Sequence, residues 1–192
     1  KMQTGEQGLP DLFMTCDASY LDMVQQKMGS PFGPDVRVAS TRIVMLVAKG
    51  NPHGIESLDH LAKRGLRVGT TDPQASTLGA MSHHAIRETG QFDTIEPNIV
   101  MMADTAHTLV QTMEAGQQLD VAMVYEANVQ NLEGQFDFVP LQPKYAIAVQ
   151  NVAAYKSTPY QRLAKRLMTR LASATSRRRF EQLGFQWEAG DE

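Results

Sequence analysis

Hydroxyl groups and helix starts come directly behind two apolar runs of this sequence, and a tyrosine closes a third. Residues 65–90 read GLRVGTTDPQASTLGAMSHHAIRETG. Residues 66–70 suit a buried strand. Asp72-Pro73 interrupts it, because proline has no N–H to give a sheet ladder. Ser76 and Thr77 offer hydroxyls where a helix should begin, and Gly90 is placed to end it. Residues 98–102 form a second apolar strand, with Asp104 as the expected N-cap of a helix over 105–115. Ala106, Leu109, Val110 and Met113 keep a helical period there, and Gly116 closes it. Residues 120–125, DVAMVY, end in Tyr125. A helix starting at a strand's carboxyl end presents unpaired N–H groups and the positive end of its dipole. Two such starts and one phenol converging on a point would bind an anion without any charged side chain. Read singly, each stretch is equally an ordinary capped βα unit.

Other chemistries lack their residues. His53, His60, His83, His84 and His107 form no H-x-x-x-H pattern, and they read as surface groups. There is no G-x-S-x-G elbow, P-loop or G-x-G-x-x-G. Cys16 lies between a strand and a helix with no base beside it, and reads as a small packed hydrophobe. Arg177, Arg178 and Arg179 read as a solvated helix face, and the methionines as core filling. With no nucleophile–base pair and no metal set, an enzyme is not expected, nor a metal or cofactor.

Composition narrows the class further. The 192 residues carry a net charge of −3 and are 42% hydrophobic and 20% charged. That suits a globular chain with ample core. No broad basic field draws nucleic acid or an anionic surface. The apolar run over 43–48 is too short to span a bilayer. The chain begins at Lys1 without a signal peptide, so a processed or trimmed product is expected. One cysteine allows no internal disulfide.

The elements needed to position these groups alternate along the chain. A polar loop over 1–10 leads to a strand over 11–15 and a helix capped by Asp17 and closed by Gly29. A turn over 30–35 precedes a long strand over 36–48, and Ser57 opens a short helix. After the two βα units come strands over 136–141 and 145–149. A further helix runs from Thr158, with Pro159 at its first position and Leu163, Leu167 and Leu171 as its core face. A last helix spans 175–183. This order predicts an α/β fold with a largely parallel sheet. Segments 42–48 and 144–150 are the expected crossings between an outer lobe, 1–48 with 144–192, and a middle lobe, 49–143. The ligand is expected between the lobes, at the carboxyl ends of strands.

Five segments in order, DLFMTCDASYLD, STRIVMLVAKGN, GLRVGTTDPQASTLGA, MVYEANV and RRRFEQLGF, resemble the periplasmic molybdate- and tungstate-binding components of ABC transporters. The resemblance covers nearly the whole chain. It implies a two-lobed periplasmic-binding-protein-like fold of type II topology and an extracytoplasmic location. It also implies an oxyanion held by hydroxyls and N–H groups without a counter-charge. Thr15 stands where the family has a ligand-binding serine in a D-x-F-x-S-A-D stretch. Leu78 and Thr105 stand at backbone N–H donor positions, and Tyr125 matches a tyrosine whose hydroxyl reaches the anion. The family opens with a strand and helix whose connecting turn bears another ligand serine, and this chain starts after them. Thr15 replaces serine, Leu78 a smaller residue, and Thr77 a proline.

The resemblance implies molybdate or tungstate as ligand, chosen over sulfate by size, and ABC transporter membrane subunits as partners. A homo-oligomer is expected if another copy replaces the first strand. The alternatives are a ligand-sensing regulatory domain of the same fold, for which no DNA-binding helix-turn-helix is visible, or a receptor-like domain that no longer binds an anion.

Overall fold

The computed structural model describes residues 8–116, 118–130, 132–142 and 146–190. The expected loop over 1–10 and the start of the strand at Tyr145 lie partly outside the described residues. The chain divides into two compact units, one made of residues up to Ser40 together with those from Ala148 onward, the other of Thr41–Ile147.

In the first unit, β1 (Leu12–Thr15) runs antiparallel to β7 (Ile147–Tyr155), with Leu12 opposite Ala154 and Thr15 opposite Asn151. β7 lies between β1 and β2 (Phe32–Ala48). Asp17 caps α1 (Ala18–Met28) through Ser19 N at 3.0 Å, and Gly29 closes it at φ 71°. The turn expected over 30–35 is shorter. Gly29 and Ser30 make the reversal at positive φ, and β2 already begins at Phe32. The Gln25 amide fixes that start, accepting from Phe32 N at 3.1 Å and donating to Phe32 O at 3.0 Å. Phe13 stacks on Phe32 with ring centroids 5.4 Å apart. β7 extends past the expected end at Val149, because polar Asn151 is buried with a side-chain partner on each side.

The C-terminal part of this unit is α5 (Gln161–Leu171), α6 (Ala174–Gln182) and a short strand, β8 (Gln186–Trp187), which pairs with Ala39 and Ser40 of β2. Pro159 is not the first helical residue. Tyr160 is the N-cap, with its N–H held by Thr158 Oγ1 at 3.1 Å. The expected leucine face is also corrected. Ala164, Met168 and Leu171 face the core, whereas Leu163 and Leu167 are exposed.

In the second unit the strand order is β6 (Phe136–Pro140), β2, β5 (Val121–Tyr125), β3 (Val68–Thr71), β4 (Ile99–Ala103). The sheet is mixed instead of largely parallel. β3 is parallel to β4 and β5, while β2 is antiparallel to β5 and β6. Its two faces carry separate cores. Ile43, Met45, Val47, Val121 and Met123 pack with α2 (Thr77–Glu88) on one side. Val44, Leu46, Ala122 and Val124 pack with α4 (Ala106–Ala115) on the other. Period-two alternation with both faces apolar is what a strand covered on both sides requires. This unit also holds a one-turn helix, α3 (Phe92–Ile95), and 3₁₀ turns at Leu58–Ala62, Glu96–Asn98 and Glu126–Asn128.

The amino ends of β3 and β5 are locked by charge. Asp120 accepts from Arg67 N at 2.8 Å, Nε at 3.1 Å and Nη2 at 2.6 Å, and His53 Nε2 lies 3.4 Å away. Its carboxylate is 9% exposed. These bonds from Arg67 hold the Asp120 carboxyl below the ordinary range. A carboxyl so depressed stabilises the fold above its unfolded pKa, and that contribution is lost as pH falls through the folded value. Asp120→Asn is expected to cost about 1.5–3 kcal/mol at neutral pH, the range for a hydrogen bond to a charged group. The difference from the parent should begin to shrink near about pH 4, where the carboxyl of the unfolded chain protonates, and should close only once the pH is below the lowered folded value. Urea unfolding at neutral pH and below that folded value measures this; a gap that persists there would exclude the ionised pair as its source.

Candidate functional site

β3, β4 and β5 are parallel, so their carboxyl ends share one edge of the second unit. α2 comes after β3, α4 comes after β4, and Tyr125 is the last residue of β5. Three of the four residues singled out by sequence, Leu78, Thr105 and Tyr125, are thereby placed at the same edge of one sheet.

Ser76 is the N-cap of α2, accepting from Gly79 N at 3.4 Å and from the Thr71 hydroxyl at 3.0 Å. Leu78 is the second residue of this helix, so its N–H is one of the first-turn donors that a helix cannot satisfy internally. Its side chain is buried in the core, leaving the backbone as its polar contribution. Gly79 permits this placement. A Cβ there would overlap the carbonyl oxygens of Thr71 and Asp72, so the first turn of α2 sits directly on the end of β3.

The second helix start differs from expectation. The N-cap of α4 is Thr105, not Asp104. Thr105 has extended backbone, φ −140° and ψ 154°, and its Oγ1 accepts from Thr108 N at 3.2 Å. Asp104 lies one residue too early to reach the N–H groups that a cap serves. Ala106 and His107 are left as first-turn donors. Tyr125 is half-buried and packs against the core on the α2 side of the sheet. Beside it, Arg42 and Glu126 form a bidentate pair with two 3.0 Å bonds, so these charges neutralise each other.

Thr15 belongs to the other unit. It is buried at the end of β1, its hydroxyl donates to Asn151 Oδ1, and Asn151 Nδ2 donates to Asp35 Oδ2 at 2.7 Å. Asn151 and Asp35 are not among the residues expected from the sequence: Asp35 falls in the expected turn over 30–35 and Asn151 beyond the expected strand end at Val149, whereas both lie within strands, β2 and β7. Sequence reasoning also passed over the Thr71–Ser76 hydroxyl pair, although the double threonine before Asp72 was a visible signal.

Three further expectations change. Cys16 is exposed, not packed. His83 is buried, with Nε2 3.3 Å from Thr70 Oγ1, and its pKa is lowered by burial and then by Arg87. Met45 and Met123 fill core positions, but Met14, Met23 and Met102 are exposed. Among the described residues no group of three His, Cys, Asp or Glu side chains could hold a metal ion.

Residues 1–186 match the family model described as bacterial extracellular solute-binding protein. A curated relative, the molybdate-binding protein ModA of Mycobacterium tuberculosis, is 26% identical over 176 residues. That match covers 91% of this chain, and the chain spans 65% of the relative's length. The periplasmic molybdate-binding protein of Azotobacter vinelandii has a similar structure, with a TM-score of 0.70 and 18% identity over 93% of this chain and 78% of that one. A periplasmic thiamin binding protein gives a TM-score of 0.76 and 14% identity over 95% of this chain and 66% of that one. These likenesses show the periplasmic-binding-protein fold.

Two substitutions test how this edge is built. Gly79→Ala should destabilise the protein by about 1–3 kcal/mol through overpacking, despite alanine's better helix propensity. Thr105→Ala should cost about 0.5–2 kcal/mol, while Asp104→Ala should cost much less. Chemical denaturation of the three variants checks both, and a larger loss at Asp104 would reassign the cap.

Proposed function

This chain belongs to the bacterial extracellular solute-binding proteins, and from that premise we propose that it serves as the receptor of an ABC transport system for a tetrahedral oxyanion, molybdate or tungstate. One observation carries the reading: three parallel strands end on one edge, and that edge holds two helix starts and a phenol. A tetrahedral dianion offers only acceptors, and Leu78 N–H, Thr105 N–H and the Tyr125 hydroxyl are all donors. Helix dipoles supply the favourable field in place of a counter-ion. The relatives named for molybdate support this class of ligand. The thiamin-binding neighbour shares the fold with a different solute, so the ligand is read from the edge and not from the fold. The role of Thr15 rests on the family resemblance alone. An extracytoplasmic location accompanies the family, and among the described residues no helix is long and apolar enough to cross a membrane.

A ligand that binds only the native state should raise stability by about 2.7 kcal/mol at a hundredfold excess over Kd. Molybdate and tungstate should raise the melting temperature alike and sulfate little, at constant ionic strength. Tyr125→Phe should weaken molybdate binding by about 1.5–3 kcal/mol without loss of fold, since it deletes one donor to a charged group. An equal shift with all three anions would sink the size-selective reading. Absence of any shift would leave the fold without the proposed ligand.

A further inference from the structure

The outer face of α5 carries an unusual surface. Tyr160, Leu163 and Leu167 form a row that is 59%, 60% and 46% exposed. At helical spacing, Arg162, Arg166 and Arg170 form a second row directly beside it. Ala164, Met168 and Leu171 turn to the core, so the apolar arc of this helix is wider than its packing uses. α5 contains four basic residues and no acidic one. Residues 156–184 hold eight of the chain's 18 Lys and Arg but only one of its 21 Asp and Glu. That one, Glu181, is bonded to Arg177 at 2.9 Å. A protein that is acidic as a whole therefore carries one strongly basic segment with an exposed leucine row along it.

We propose that this face of α5 docks on an anionic phospholipid bilayer. Leu163 and Leu167 enter the boundary between headgroups and acyl chains, and the Tyr160 phenol stays at headgroup level. The three arginines bond lipid phosphates while their stems lie along the apolar surface. Charge complementarity and size favour lipid over a protein partner. Three side chains are far short of the roughly 800 Å² per partner that a stable protein interface needs. A single amphipathic face without a lipid chain instead gives reversible membrane attachment. The inference stands apart from the oxyanion reading and neither needs the other.

Cosedimentation of the 192-residue chain tests it, using vesicles of phosphatidylcholine alone and of an equal mixture with phosphatidylglycerol. Partitioning should be at least roughly tenfold stronger onto the anionic vesicles and should fall with added salt. The triple variant Arg162→Gln, Arg166→Gln, Arg170→Gln should lose about tenfold or more on anionic vesicles. Leu163→Ser with Leu167→Ser should abolish partitioning. Val100→Ser with Met102→Ser, a comparably exposed apolar pair on β4, should leave it unchanged. Circular dichroism establishes that each variant is folded. Tyr160→Trp gives a second readout, a blue shift in emission on adding anionic vesicles only. Absence of partitioning, equal partitioning onto neutral vesicles, or retention by the leucine variant would overturn the proposal. A dimer removed by the leucine variant, without vesicle binding, would assign the face to a second copy instead.

Discussion

The close approach of α2 to the carboxyl end of β3 is the contact on which the candidate edge depends. Gly79 lies against the carbonyl oxygens of Thr71 and Asp72, where any side chain would collide. The helix can then begin without an intervening layer of side chains, and Ser76 can meet Thr71 hydroxyl to hydroxyl. With the helix axis fixed this close, the dipole and first-turn N–H groups are aimed by the backbone. A site made of backbone donors can be no more rigid than the packing that orients them.

The same unit treats its two edges differently. At the amino ends of β3 and β5 it uses ionised groups, with Arg67 clamped on Asp120 through backbone and side chain together. At the carboxyl ends the donors named for the proposed ligand are neutral, Asp72 and Asp104 directly follow β3 and β4, and the neighbouring Arg42 is paired with Glu126. Charge serves to fix strand order at one edge. At the other, neutral donors avoid the desolvation penalty that a buried ion pair would carry.

Most of the architecture was legible in the sequence because it rests on period and punctuation. The βα unit around Ser76, the strand ending in Tyr125 and the capped helix at Asp17 emerge from apolar alternation and local hydroxyls. The features that differ arise in two ways, locally at one helix start and elsewhere from partners distant in sequence. The cap at Thr105 instead of Asp104 is a difference of one residue in where the strand lets go. The continuation of β7 through Asn151 is invisible without Thr15 and Asp35 beside it. The leucine face of α5 failed for the opposite reason: three leucines at perfect helical spacing look like core, and only tertiary contact shows that Ala164 and Met168 hold that role. Of the candidate site, the residue types were readable, while the glycine that makes their placement possible was not.

Cys16 gives the molecule a single point of chemical address. It is the sole thiol of the chain, it is exposed, and it lies in the bend directly after Thr15. In an oxidising compartment it finds no disulfide partner among these 192 residues. A maleimide dye would attach with a stoichiometry of one. Its emission would then report the surroundings of β1's end without any residue having to be changed.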